Sequence, residues 1–281
     1  MSLISKKQPF IGCFFYAPNK CNFYTLPALL LKVAIKAKSC QNHKHEKLLN
    51  KIRLTLMKRF NDKAVIVTGA DSSLGRVTAM KLAREGANVI LVGSNSKVLQ
   101  YIAADLPEDH TWINSGNHLA ITYRLDQATP SDELVTHVLQ KYQKIDVLIN
   151  INTSLPLEGS LVQALAQSKG SVVNVGLLSD NSSEWSLHDY QQQNHQLAEN
   201  TKQLALTHST NGIRVNAVNV GLTADDRNSH DSRQLFLQHS PLGDLVSLED
   251  ASEAITFLAS EEARMITGVT LPVDGGLSLT Y

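Results

Sequence analysis

The sequence predicts an α/β fold, a single doubly wound parallel sheet of about seven strands, and three observations carry that expectation. From Lys63 onward, short apolar runs recur without the polar alternation of a half-exposed sheet. Strands buried on both faces read this way, so helices must cover both sides of the sheet. Segments with helical apolar spacing separate the runs, as in successive βαβ units. A glycine-bearing turn, Thr68 to Gly75, joins the first run to the first helical pattern. There is no internal repeat and no low-complexity tract, so residues 61–281 read as one domain.

The elements follow in chain order. AVIV (Ala64 to Val67) is the first strand, and the helix after the turn carries Val77, Met80 and Ala83 until Gly86 stops it in a left-handed conformation. VILV (Val89 to Val92) is the second strand, and ITYRL (Ile121 to Leu125) the third and weakest. Ser131 caps a helix with Leu134, Val135, Val138, Leu139 and Tyr142 on one stripe. VLI (Val147 to Ile149) and VVNV (Val172 to Val175) are strands four and five. Only about twenty residues separate Ile149 from Ser171, with SLVQALAQSKG (Ser160 to Gly170) as the helical part. A parallel crossover needs at least ~10–12 residues, so this shortened crossover still connects the sheet. RVNAV (Arg214 to Val218) and VTLPV (Val269 to Val273) complete it, and Ser247 with Asp250 forms a capping-box pattern before Ala251, Ala254, Ile255 and Leu258.

Composition divides the chain in two. Of 281 residues, 43% are hydrophobic and 19% charged, enough for one large α/β domain. The formal charge of zero hides twelve Lys or Arg against the single Glu46 in residues 1–60, so the remainder is acidic by a similar amount. Cys13, Cys21 and Cys40 all lie in the basic segment, which leaves the domain without thiols for disulfides, metal ligation or nucleophilic catalysis and favours a reducing compartment. The apolar window Thr25 to Ile35 is interrupted by Lys32 and falls short of the ~20 residues of a spanning helix. Residues 1–60, with KLLNKIRLTLMKRF at Lys47 to Phe60, read either as a solvated extension or as a mitochondrial presequence, so the location is cytoplasmic or mitochondrial. The acidic domain offers no nucleic-acid patch, and the ten histidines show no metal-ligand spacing.

The turn TGADSSLG carries the chemistry. A tight glycine turn from strand to helix aims backbone N–H groups and the positive helix end at a pyrophosphate, which makes Thr68, Gly69, Ser72, Ser73, Leu74 and Gly75 candidate cofactor contacts.

The turn resembles the TGxxxGxG loop of the short-chain dehydrogenase/reductases. The resemblance runs from Ala64 to Leu277 and includes DVLIN (Asp146 to Asn150), GSVVNV (Gly170 to Val175), NGIRVNAVNVG (Asn211 to Gly221) and FLASEEARMITGVTLPVDGG (Phe257 to Gly276). It implies a Rossmann fold, an NAD or NADP cofactor, and interconversion of a small-molecule alcohol and carbonyl. Ser73 stands at the family's middle glycine, where a side chain should weaken phosphate binding. Gly93 and Ser94 stand where the family places its ribose-binding acid. With no carboxylate expected there, Ser94, Asn95 and Ser96 become candidate donors to a 2′-phosphate, and the reading favours NADP. Asp126 matches the aspartate beside the adenine and reads equally as a turn residue.

The same resemblance assigns Tyr190 as the catalytic tyrosine, counted back from Gly212, Ile213 and Arg214. The family's lysine one turn later is Asn194, which can hold a ribose hydroxyl but supplies no positive charge, and its serine is Leu177. The relay asparagine cannot be placed in the shortened crossover. NNAG becomes NINT (Asn150 to Thr153), and PG becomes Val220 and Gly221 with Thr223 close behind, so Asn150, Val220 and Thr223 join the cofactor candidates. The shortened helix predicts a weakened homo-oligomer. Three readings stand: a residual oxidoreductase whose only catalytic group is Tyr190; a pseudoenzyme that binds dinucleotide or serves as a partner subunit, in which Tyr190 is a structural helix residue; or a decaying gene product whose missing helix half leaves it poorly folded.

Overall fold

The fold is described from a computed structural model, over residues 58–107, 117–123, 131–151, 155–177, 186–224 and 230–280. The strands are β1 (Ala64–Thr68), β2 (Asn88–Gly93), β3 (Leu119–Thr122), β4 (Val147–Ile151), β5 (Ser171–Leu177), β6 (Arg214–Val220) and β7 (Thr270–Val273). They form one sheet in the order β3-β2-β1-β4-β5-β6-β7, with every neighbouring pair parallel. The helices are α1 (Ser73–Arg84), α2 (Ser96–Asp105), α3 (Ser131–Tyr142), α4 (Gly159–Ser168), α5 (Leu187–His208), α6 (His230–His239) and α7 (Leu248–Ala259).

Strand side chains alternate between two cores, which is what double winding requires. Val65, Val67, Leu91, Ile149 and Val173 face one core with Leu82 of α1 and Ile255 of α7. Ala64, Ile66, Ile90, Leu148 and Val172 face the other with Val135 of α3 and Leu165 of α4. The strand order reverses between β1 and β4, and ligands of open α/β sheets bind in the crevice at such a switch point.

Two local signals hold where they were read. Gly86 adopts φ +91°, and its N–H and that of Ala87 close α1 onto the carbonyls of Ala83 and Leu82. Ser247 caps α7 by accepting from Asp250 N at 3.0 Å. The third strand differs: β3 begins at Leu119 and ends at Thr122, two residues ahead of the expected start. It is a half-buried edge strand whose register is fixed by pairing Leu119 with Ile90 of β2, so its own apolar pattern carries little information. Leu125 lies outside the described residues. The shortened crossover is α4, whose first turn is tied to α3 where Ser160 N and Oγ both donate to Asp132 Oδ1, at 3.2 and 2.5 Å.

The domain also takes in the end of the basic segment. Phe60 is fully buried and its N–H donates to Glu85 O at 3.1 Å, while Arg59 grips Glu85 through Nε and a terminal nitrogen, each at 2.6 Å. The boundary between compact units falls between Met57 and Lys58.

Candidate dinucleotide site

At the end of β1 the chain turns so tightly that side chains are excluded. Gly69 has φ +61°, and a Cβ there would lie 2.2 Å from Ile151 O of β4. At Gly75 a Cβ would meet Gly69 O at 2.3 Å, so this glycine lets α1 pack directly on the loop. Ser72 caps α1: its Oγ accepts from Gly75 N at 3.1 Å and donates to Gly69 O at 2.7 Å. Among the described residues the N–H groups of Ser73 and Leu74 have no protein acceptor, so the positive end of α1 keeps donors for an anion. Leu74 is buried and anchors the helix, whereas Ser73 is exposed at the position where the family's loop is bare. These residues fit a pyrophosphate, with Ser73 as the one obstruction.

The end of β2 departs from the sequence reading. Ser94 N, Ser94 Oγ and Asn95 N all donate to Asp71 Oδ2, at 2.9, 3.0 and 2.9 Å. A carboxylate therefore does stand at this position, supplied by the phosphate loop and not by β2, and two of the three residues expected to donate to a 2′-phosphate, Ser94 and Asn95, donate to it. Gly93 makes the room: a Cβ there would lie 2.5 Å from Asp71 Oδ1. Asn95 also caps α2 by accepting from Val98 N at 3.2 Å.

The floor of the crevice is a polar ladder inside the sheet. Asn150 Nδ2 donates to Asn174 Oδ1 at 2.9 Å, and Asn150 Oδ1 accepts from Leu155 N at 3.2 Å and from Thr68 Oγ1 at 3.4 Å. Thr68, Asn150 and Asn174 are register partners on β1, β4 and β5, so Thr68 and Asn150 brace the strand ends. Val220 and Thr223 are buried at the end of β6, where Thr223 bridges to Val246. Asp126, Asn152 and Thr153 lie outside the described residues.

Tyr190 and Asn194 lie beside the end of β7, and Leu177 ends β5. Tyr190 is 1% exposed, and its hydroxyl donates to Asp274 Oδ2 at 2.8 Å. Asp274 follows β7 and is itself buried, with Gly276 N on Oδ1 and Ser278 N on Oδ2, each at 2.9 Å. β7 lies three strands beyond β4, about 14 Å along the sheet at the usual strand spacing. Asn194 lines a groove with Gln191, Ala198, Thr270, Pro272 and Ser278, again on the β7 side. Leu177 ends β5 opposite Val220 and packs against the core.

Phe236 of α6 seals this end. It is fully buried, and a Cβ at Gly221 would lie 2.9 Å from its ring. Asp71, Asp274 and Phe236 escaped the sequence reading because their roles arise from contacts between distant segments. The VDGG motif alone marked the neighbourhood of Asp274. No group of His, Cys, Asp or Glu among the described residues is arranged to hold a metal, and no helix among them is long and apolar enough to cross a membrane.

Comparison with known proteins gives this geometry its family. Residues 63–158 match the family model described as short chain dehydrogenase, and residues 152–278 match the model described as enoyl-(acyl carrier protein) reductase. The chain is 31% identical over 265 residues to 1,6-dihydroxycyclohexa-2,4-diene-1-carboxylate dehydrogenase of Acinetobacter baylyi, covering 78% of this chain and 97% of that protein. It is 26% identical over 247 residues to meso-2,3-butanediol dehydrogenase of Serratia marcescens, with 78% and 95% covered. Among solved structures, apo glucose dehydrogenase of Caenorhabditis elegans superposes with a TM-score of 0.63 at 27% identity, covering 79% of this chain and 99% of that one. With the glycine turn, the switch point and the seven-stranded order in agreement, the chain belongs to the short-chain dehydrogenase/reductase family of oxidoreductases.

Proposed function

We propose that the domain binds a nicotinamide dinucleotide mainly through its adenosine and pyrophosphate half, and that alcohol–carbonyl interconversion is weak or lost. Family membership implies an NAD(P) cofactor, and the free donors at the start of α1 support the first part. Gly69, Ser72, Ser73, Leu74 and Gly75 would hold the pyrophosphate. A bound nicotinamide would supply hydride exchange with a carbonyl carbon. This chain's own residues offer little to the rest of such a reaction.

The observation that carries the reading is the buried bond from Tyr190 to Asp274. A proton donor must reach the substrate oxygen, whereas this hydroxyl donates to the buried carboxylate that follows β7. Leu177 offers no hydrogen bond to a substrate oxygen, and Asn194 offers no charge to favour proton loss. A positioned acid or base is worth ~10²–10⁴-fold, so turnover well below that of an intact site follows. The relatives named above are dehydrogenases, so a small secondary alcohol or its ketone is the substrate class to assay.

The test is a titration of the full chain with NADH and NADPH, followed by nicotinamide fluorescence, alongside a turnover assay with small alcohols and ketones. Saturable binding with turnover at least ~10²-fold below an intact relative supports the proposal. Absence of binding by folded protein, or turnover at a relative's rate, refutes it.

A further inference from the structure

The dinucleotide reading leaves open how the chain treats the adenosine ribose, and we infer that Asp71 selects a dinucleotide with a free 2′-hydroxyl and rejects one carrying a 2′-phosphate. This inference rests on the binding proposal above and extends it to cofactor choice.

Three observations converge. First, Asp71 belongs to the phosphate loop, yet its carboxylate reaches the end of β2, where the adenosine ribose of a bound dinucleotide lies. Second, the site is an anion site already filled. Asn95 is the N-cap of α2 and Ser94 precedes it, so Asp71 Oδ2 takes both N–H groups and the Ser94 hydroxyl beside the positive end of that helix. A 2′-phosphate would need these donors and would meet a carboxylate in their place. Third, Asp71 Oδ1 has no hydrogen-bond partner among the described residues, which leaves an acceptor on the carboxylate for a ribose hydroxyl.

Gly93 completes the arrangement. Any side chain at the end of β2 would collide with the Asp71 carboxylate, so Gly93 gives up its own side chain to admit one from the loop. Among the described groups that face the carboxylate from β2 and α2, only the backbone and hydroxyl donors of Ser94 and Asn95 bind it. No Lys or Arg is paired with Asp71 among the described residues to offset its charge.

The experiment compares NADH with NADPH on the full chain and on Asp71→Asn, at low and high salt, by fluorescence titration. Wild type should bind NADH at least about tenfold more tightly than NADPH, since like charges a few ångströms apart repel appreciably even in water. In Asp71→Asn, which keeps an acceptor oxygen for Ser94 and Asn95 but removes the charge, the ratio should fall to about threefold or less. In wild type the ratio should also narrow as salt rises, because repulsion between exposed charges is screened over ~10 Å at 0.1 M and ~3 Å at 1 M. The salt series needs no variant, so it decides the matter even if Asp71→Asn fails to fold. Equal or tighter binding of NADPH by wild type overturns the inference, as does a ratio unchanged by both the substitution and salt. Failure of both nucleotides to bind folded wild type is a different result: it removes the dinucleotide reading itself, and this inference with it.

Discussion

The Tyr190 hydroxyl and the Asp274 carboxylate meet at 2.8 Å across 84 residues of sequence, and both side chains are buried. Asp274 also holds the N–H groups of Gly276 and Ser278, so one carboxylate joins the start of α5 to the turn after β7. Tyr190, which the family resemblance assigns to proton transfer, here joins a hydrogen-bond network.

Restoring the two missing polar groups should therefore not restore catalysis. Leu177→Ser combined with Asn194→Lys supplies a donor and a positive charge but leaves Tyr190 bound to Asp274. Turnover of the double variant is expected to stay within about tenfold of wild type, well short of the ~10²–10⁴ that a working acid contributes. Steady-state assays with the same alcohols and ketones check this.

The domain begins before residue 61. Phe60 is fully buried against the core and Arg59 is clamped on Glu85, so Phe60→Ala should cost about 3–5 kcal/mol, the usual range for an aromatic lost from a core. Urea unfolding of the variant, and of a chain starting at residue 61, measures the loss.

Much of the fold was legible because fully buried parallel strands must be continuously apolar. AVIV, VILV and VVNV announce β1, β2 and β5 on that ground alone, and Gly86 and Ser247 mark helix ends through conformation and capping that depend on local sequence. β3 was misplaced because an edge strand takes its register from its neighbour. At the site, counting along the family pattern marks Leu177 and Asn194 as departures from the expected residue types. Where side chains point was not legible. Nothing local in TGADSSLG says that Asp71 reaches Ser94 and Asn95, and nothing in DYQQQN says that Tyr190 turns toward β7.

Ser73 is the single obstruction in an otherwise intact loop. Ser73→Gly should tighten binding of NADH by roughly three- to tenfold, because backbone could then approach the phosphates, with little loss of stability because residue 73 opens α1 and does not lie in its interior. Calorimetric titration and thermal unfolding read the two effects separately.

The short crossover has its own pH signature. The Ser160 hydroxyl, and then its N–H, hold the Asp132 carboxyl below the usual carboxylate range. A depressed folded value means that the contribution is present above the unfolded value of ~3.9 and is lost as pH falls through the lower folded value. The melting-temperature difference between wild type and Asp132→Ala should therefore be present near neutral pH and shrink as the carboxyl is protonated in acid. A difference that persists in acid would contradict the role of the charge.

Tyr190→Phe tests the central claim most directly, because a catalytic and a structural tyrosine give opposite results. If the hydroxyl serves the fold, the variant loses about 1.5–3 kcal/mol of stability, the range for a hydrogen bond to a charged group, while whatever turnover the chain has changes less than about threefold. If instead stability is unchanged and turnover falls by ~10²-fold or more, Tyr190 is a working acid and the account is wrong.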